Sequence, residues 1–131
     1  TGNGSSLTGI TQSQVTGLTT SSRPQFANVQ ITHSVLTYAV TTNIDMDTDG
    51  FQTVSLTGDV TFTTSNRAAG RSRTVRILCD ATPRTFTFPA GWTFMGAAAP
   101  ASIAASKDAV LTITAFGTAD SDVVAAYSVE P

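Results

Sequence analysis

Short runs in which apolar and polar residues alternate recur along most of this chain, and they constrain its fold more than any other feature. Residues 59–64, DVTFTT, place Val60 and Phe62 on one side of an extended strand and threonines on the other. Residues 84–89, RTFTFP, repeat the pattern with two phenylalanines. Because successive side chains of a strand point to opposite faces, such runs predict sheets that each have one buried face.

Gly, Asp, Asn and Pro residues separate the alternating runs, and together these signals predict eight strands. The strands cover residues 26–33, 35–40, 51–56, 59–64, 73–80, 84–89, 109–116 and 123–129. A spacing of roughly ten residues with polar turns is typical of a sandwich, jelly roll or barrel. A parallel α/β fold would need helices between its strands, and the only helix-like stretch, residues 97–106, is interrupted by Pro100. We therefore expect an all-β fold, a jelly-roll-like antiparallel β-sandwich, over residues 26–131.

Composition agrees with an all-β fold and argues against two classes of partner. Charged residues make up only 12% of the chain, about half the usual share, whereas Thr, Val and Phe, which suit a pleated surface, are frequent. The net charge of −2 provides no field that would hold nucleic acid or an anionic membrane surface. No run approaches the roughly 18 apolar residues of a membrane span. We expect neither a nucleic-acid partner nor membrane insertion.

Residues 1–25 differ from the rest, because they combine Gly, Ser, Thr, Asn and Gln with isolated aliphatic residues. One phrase occurs twice there, as LTGITQ at residues 7–12 and VTGLTT at residues 15–20. Its apolar positions are Leu7, Ile10, Val15 and Leu18. So few aliphatic side chains cannot offset an ordering cost of ~1–2 kcal/mol per residue. The segment is therefore either a flexible linker or a place where several chains pool these side chains around a shared axis, and the repeated Thr-Gly favours the second.

The run ITQSQVTGLTTSS, residues 10–22, resembles a phrase of bacteriophage tail-fibre and other virion appendage proteins that typically precedes a trimeric β-structured head. The stretches FQTVSLTGDVTFTTSN, GRSRTVRILCD, RTFTFPAGWTFMGAAAP and AVLTITAFGTADSDVVAAYSVEP resemble the C-terminal β domain of many of the same proteins. The resemblance implies a non-enzymatic, homotrimeric fibre or spike protein. Residues 1–25 would trimerise it or attach it to other virion proteins, and the head would contact a glycan or protein receptor on the host cell.

The same resemblance implies assembly in the host cytoplasm and a final position on the virion surface. Two other functions stay open. One is a capsid decoration or head-fibre protein that adheres to the shell through its N-terminal arm. The other is a bacterial carbohydrate-binding module, which would be a monomer with exposed aromatic residues along one sheet face.

The residues that most often carry catalysis are scarce and isolated. His33 is the only histidine and stands at the end of a predicted strand without a nearby Ser-Asp pair or Cys partner in sequence. Cys79, the only cysteine, alternates with Ile77 and Val75, so we expect a small core residue. No nucleophile elbow, phosphate loop or metal-spaced Cys and His pair occurs. We expect no catalytic residue and no cofactor.

The acidic turn Asp45, Asp47 and Asp49 looks at first like the opening of a calcium-binding EF-hand loop. The twelfth position of such a loop is Leu56 here, where a bidentate Glu is required. We expect a solvated hairpin turn and no metal, with a Ca²⁺ ion held in a β-turn as the alternative.

Two further features each have a structural and a functional interpretation. Five of the seven basic residues are close in sequence, at Arg67, Arg71, Arg73, Arg76 and Arg84. They either solvate turns or form a patch for an anionic partner. Trp92, the only tryptophan, is expected to be a core or subunit-contact residue rather than an exposed platform for a sugar.

Overall fold

A computed structural model of the chain describes residues Ile31–Pro131. The predicted trimerisation segment, residues 1–25, and its boundary with the head lie outside the described residues. So do its four aliphatic positions, Leu7, Ile10, Val15 and Leu18. Their role in assembly stays a prediction.

The described part of the chain consists of ten strands and one short 3-10 helix, Asp120–Asp122, and it contains no α-helix. The strands are β1 His33–Leu36, β2 Thr41–Asp45, β3 Phe51–Leu56, β4 Val60–Ser65, β5 Arg71–Cys79, β6 Arg84–Thr87, β7 Thr93–Phe94, β8 Ser102–Ile103, β9 Asp108–Ala115 and β10 Val123–Val129. They form a six-stranded sheet, in the order β1-β3-β5-β9-β10-β7, and a four-stranded sheet, in the order β2-β4-β6-β8. The all-β prediction is confirmed.

The chain passes back and forth between the two sheets from β1 to β6, so that each odd strand and the following even strand form one turn of a flattened coil. Successive turns stack in parallel. In the six-stranded sheet His33 is paired with Phe51, and Phe51 with Thr74. In the four-stranded sheet Thr41 is paired with Thr61. The antiparallel strands β9 and β10 then extend the larger sheet beyond β5.

The expected antiparallel arrangement is therefore wrong for most pairings. Among the described strands five pairings are parallel and three are antiparallel. Neighbouring parallel strands need a long crossover, which in most proteins is a helix. Here a strand of the opposite sheet serves as the crossover, so no helix is required. A jelly roll is an antiparallel architecture, and that finer part of the fold prediction is not confirmed.

Apolar side chains from both sheets meet in one core between the layers. Val54 and Leu111 of the larger sheet and Ile44 and Phe62 of the smaller sheet are fully buried there. Burying one such side chain stabilises the fold by ~1.5–3 kcal/mol. The alternation seen in the sequence is thus the alternation between this core and the outer surface of each sheet.

Strand positions follow the sequence prediction closely in the central segments and poorly elsewhere. β3 and β10 have the predicted bounds, whereas β2, β7 and β8 were not predicted. The strand expected at residues 35–40 ends at Leu36, and the one expected at residues 26–33 falls mainly outside the described residues. The helix-like stretch at residues 97–106 contains no helix and includes β8.

Candidate functional site

The three carboxylates of the acidic turn between β2 and β3 contact separate partners. Asp45 accepts hydrogen bonds from the Asn66 amide at 2.9 and 3.0 Å. Asp47 forms an ion pair with Arg71 at 2.6 Å. Within residues 31–131 no three acidic, His or Cys side chains group as metal ligands. The turn joins the two sheets instead of closing a hairpin, so the hairpin prediction for it is wrong.

Backbone and hydroxyl donors hold the carboxylates of this turn in their ionised form. The Asp47 N–H donates to Asp45 at 2.9 Å and lowers the pKa of Asp45, with a further contribution from Asn66. The hydroxyls of Thr32 and Ser34 lower the pKa of Asp49. These bonds connect the turn to the chain that enters β1, which indicates a structural role.

The five clustered arginines do not form a free basic patch, because each guanidinium has partners within the described part of the chain. Arg84 forms an ion pair with Asp80 at 2.6 Å, and this pairing lowers the pKa of Asp80. Arg73 donates to the carbonyls of Met46 and Thr48, at 2.5 and 2.7 Å. Such contacts tie turns to neighbouring strands.

Arg67 likewise joins distant loops. It pairs with Asp120 at 3.1 Å and donates to the carbonyl of Thr118 at 2.9 Å. The last arginine, Arg76, pairs with Asp108 on the outer side of the six-stranded sheet. The arrangement favours internal stabilisation over the binding of an anionic partner.

His33 and Cys79 lie on different strands and make separate contacts. His33 Nε2 is 2.9 Å from the hydroxyl of Thr53, at an exposed position. The Cys79 thiol packs against the core and donates to the carbonyl of Thr82 at 3.3 Å. Burial raises the pKa of Cys79, so the thiol stays protonated at neutral pH, which suits a structural residue.

The outer side of the six-stranded sheet, here called the six-strand face, is rich in apolar and threonine side chains. Val35, Phe51 and Val110 are 71%, 45% and 43% exposed. Leu78 and Val124 are half-buried on the same side. Along these strands the outward side chains alternate with side chains that point into the core.

Cross-strand pairing brings these outer residues into two adjacent rows. One row runs through His33, Phe51, Thr74, Thr112 and Ala126. The next runs through Val35, Thr53, Arg76, Val110 and Ser128. The Arg76–Asp108 ion pair lies between two shallow grooves of about 390 and 310 Å³. It places one cation and one anion side by side on a face that is otherwise weakly charged.

The outer side of the four-stranded sheet, the four-strand face, has the opposite character. Its exposed and half-buried positions on β2, β4 and β6 are polar, at Thr41, Asn43, Thr61, Thr63, Ser65, Thr85 and Thr87. The Asn43 amide donates to Ser65 at 2.8 Å, and Thr63 donates to Asn43 at 3.2 Å. This face is uniformly polar and suited to water, whereas the six-strand face mixes exposed apolar side chains with threonines and one ion pair.

Trp92 lies in a cluster of aromatic rings at one end of the core. This is the end near β7 and β8, opposite to β1 and β2. Its ring centroid is 5.8 Å from that of Phe88, which in turn is 4.9 Å from that of Phe94. The indole is only 7% exposed, which confirms the expected core position and argues against an open sugar platform. A groove of about 360 Å³ opens beside the cluster.

Neither the six-strand face nor the groove beside Trp92, here called the aromatic groove, was predicted from the sequence. The outward apolar residues Val35, Phe51 and Val110 stand within predicted strands, at the positions that a one-sided sheet would fill with polar residues. That mismatch is the signal that would have found the six-strand face. The aromatic groove has no such signal, because Phe88 and Phe94 meet the chain around Pro100 only after folding.

Comparisons with known proteins add no relative: no family model, no curated protein and no solved structure matches the chain. Within residues 31–131 no helix has the length and apolar character that a bilayer crossing requires.

Proposed function

We propose that this chain is a non-enzymatic structural protein of a virion, a fibre- or spike-type appendage that assembles as a homotrimer and presents its head to a host receptor. The observation that carries the proposal is the contrast between its two sheet surfaces. The six-strand face exposes Val35, Phe51 and Val110, whereas the four-strand face is polar and internally hydrogen-bonded. Exposed apolar side chains grouped on one face mark a surface that contacts another protein, and a copy of the same chain is the partner we propose.

The six-strand face has a size that suits contact between subunits. The six strands contain 36 residues together, and with a rise of ~3.3 Å per residue and a spacing of ~4.8 Å they cover roughly 600 Å² of sheet plane. Side-chain relief makes the accessible area larger, and a standard interface buries ~800 Å² per partner. Three copies arranged with this face toward a threefold axis would bury Phe51 and Val110.

Charge on the six-strand face is low, which permits a second copy as its partner. Arg76 and Asp108 neutralise one another within one chain, and Glu130, which lines the same groove, adds one further carboxylate. Trimerisation multiplies weak receptor contacts by avidity, which is the mechanism we propose for host binding.

The carbohydrate-binding module requires a feature that the described surfaces do not show. Among the exposed large apolar residues of the described chain, the aromatic ones are Phe51 and Phe116, on β3 and after β9. They do not form an aromatic row on one sheet. A capsid decoration protein uses the same assembly as a fibre and differs in its attachment. The two-layered sandwich stays part of the proposal, but the antiparallel course of a jelly roll does not, because five of the eight pairings between the described strands are parallel.

Light scattering of the purified full chain tests the proposal. We expect the mass of three chains at micromolar concentration. A monodisperse monomer would contradict the proposal and favour the carbohydrate-binding module. With the trimer established, binding to host cells supports the fibre, and binding to purified capsids without cell binding supports the decoration protein.

A further inference from the structure

The apolar side chains of the six-strand face are concentrated at its two margins. At the margin formed by β1 and β3, Val35 and Phe51 are 71% and 45% exposed. At the opposite margin, formed by β10 and β7, Val124 is half-buried and Met95, the residue after β7, is 58% exposed. The Met95 N–H donates to the carbonyl of Ala125 at 2.8 Å, which keeps Met95 beside β10.

The two central strands of the face, β5 and β9, carry mainly polar side chains between these margins. Their outward positions include Ser72, Thr74, Thr112 and Thr114. The Arg76–Asp108 ion pair lies on the same two strands, and Val110 is the exposed large apolar residue within them. The centre of the face is therefore more polar than either margin.

This distribution distinguishes between two ways of bringing six-strand faces together. When two faces stack directly on each other, the centre of each face is its most deeply buried part and should be the most apolar. When three faces surround an axis, neighbouring faces come closest at the corners, where one margin of a copy meets the opposite margin of the next copy. Apolar margins with a threonine-rich centre favour the arrangement of three.

Strand pairing also determines which residues meet at such a corner. One row of the face begins at His33 and Phe51 and ends at Ala126, with Met95 beside it. A rotation about an axis parallel to the strands leaves each row at its own height. Phe51 of one copy is thereby brought to the height of Ala126 and Met95 of the next. A large ring fits a small alanine and a flexible thioether, which packs well on aromatic rings.

We propose that the β1–β3 margin of one copy packs on the β10–β7 margin of the next, with the ring of Phe51 on Ala126 and Met95. Three six-strand faces then close into a prism whose axis runs along the strands. This contact rests on the trimer proposed above and adds its internal arrangement, because a threefold contact joins two different patches of the same chain.

A disulfide cross-link tests this contact without altering Phe51 or Met95. The full chain, in a Cys79→Ser background, carries His33→Cys and Ala126→Cys, at two exposed positions of the same row. Within one copy these positions are four strand spacings apart, about 19 Å, which is beyond the reach of a disulfide. Any bond therefore joins two copies. After oxidation with copper phenanthroline, we expect a denaturing gel to show a ladder that ends at three chains.

His33→Cys combined with Thr87→Cys, an exposed position of the four-strand face, is the matched control and should give no cross-link. A ladder that ends at two chains would indicate a face-to-face pair and overturn the proposal, and so would equal cross-linking of the control. Light scattering before oxidation separates failure of this contact from failure of the trimer. A three-chain mass without cross-links would overturn the contact alone, whereas a one-chain mass would overturn the trimer as well.

Truncation of Phe51 gives a second measurement of the same contact. Phe51→Ala should raise the concentration at which half of the trimer has dissociated by about tenfold, as expected for a side chain that anchors an interface. Val40→Ala is its control, because Val40 is 70% exposed but precedes β2, outside the six-strand face. It should dissociate like the unaltered chain. An unchanged dissociation concentration for Phe51→Ala would overturn the proposed contact.

Discussion

Gly91 shows how closely two connections of the head approach one another. A Cβ atom at this position would lie 2.9 Å from the backbone nitrogen of Ser121 and 3.0 Å from the carbonyl carbon of Asp120. The turn that carries Trp92, closed by a hydrogen bond from the Trp92 N–H to Pro89, thus packs directly on the 3-10 helix. Only glycine fits there without a backbone shift.

We therefore expect Gly91→Ala to lower the free energy of unfolding by roughly 1–3 kcal/mol, as overpacking usually does. Gly58→Ala is the matched control. Its added methyl would meet the hydroxyl of Tyr38, the far end of a side chain that can move aside. Urea unfolding of the two variants measures the difference. A loss at Gly58 equal to or greater than that at Gly91 would contradict this packing.

The acidic residues predict how stability depends on pH. The pKa of Asp80 is lowered chiefly by Arg84, and the pKa of Asp45 by the Asp47 N–H and Asn66. A carboxyl whose pKa is lower in the folded state stabilises the fold above its unfolded pKa. That contribution disappears as the pH falls through the folded value.

The melting temperature should accordingly stay nearly constant from pH 7 to pH 5 and fall as the pH drops below about 4, the ordinary pKa region of Asp. Asp80→Asn removes one contributing group, so its melting temperature should depend less steeply on pH in the acid range. Differential scanning calorimetry at several pH values measures both curves. A melting temperature that rises on acidification would refute the assignment.

Among the elements, β4 lies at the centre of the smaller sheet and carries the most enclosed aromatic residue of the core. Phe62 is fully buried and packs against Phe86 and Phe88 at centroid distances of 5.8 and 5.5 Å. We expect Phe62→Ala to cost ~3–5 kcal/mol because it leaves a cavity between the two sheets. Phe116→Ala, at an exposed position, should change stability by less than ~0.5 kcal/mol. Chemical denaturation measures the free energy of unfolding of both variants. Similar losses of stability would contradict the central core position of Phe62.

At the scale of elements, the sequence predicts where strands lie better than how they pair. Alternation is the same in a parallel and an antiparallel strand when one face is outward, so β3 and β5 gave no sign of their parallel pairing. β2 was missed because its inward position Thr42 is polar, with its hydroxyl donated to the carbonyl of Ala39 at 2.8 Å. The two-residue strands β7 and β8 are too short to show any period.

The same limit applies to the two candidate sites. Val35 and Val110 stand far apart in sequence and share a row only because the sheet places β1, β3, β5 and β9 side by side. The sequence shows that these residues are apolar, but it does not show that they share one surface. The aromatic groove likewise depends on the approach of Pro100 to Phe94 in the folded chain. Both sites arise from pairing, which local patterns do not determine.

At the scale of the whole molecule, the proposed assembly brings the six-strand faces of several copies together. Val110→Asp would place three carboxylates near the common axis, and like charges brought together at an interface cost several kcal/mol. We expect this variant to dissociate at a higher concentration than the unaltered chain in light scattering, because residues 1–25 alone would then hold the three copies together. Thr61→Asp, on the four-strand face, is the control and should dissociate like the unaltered chain. An unchanged dissociation concentration for Val110→Asp would remove this face from the interface.

The position of the common axis is the central claim, and spin labels measure it most directly. In a Cys79→Ser background, one preparation carries a label at Val110→Cys and another at Thr61→Cys, on opposite faces of the sandwich. Pulsed electron resonance then gives the distance between copies. We predict a clearly shorter distance between labels at position 110 than at position 61. A shorter distance at position 61, or equal distances, would contradict assembly through the six-strand face.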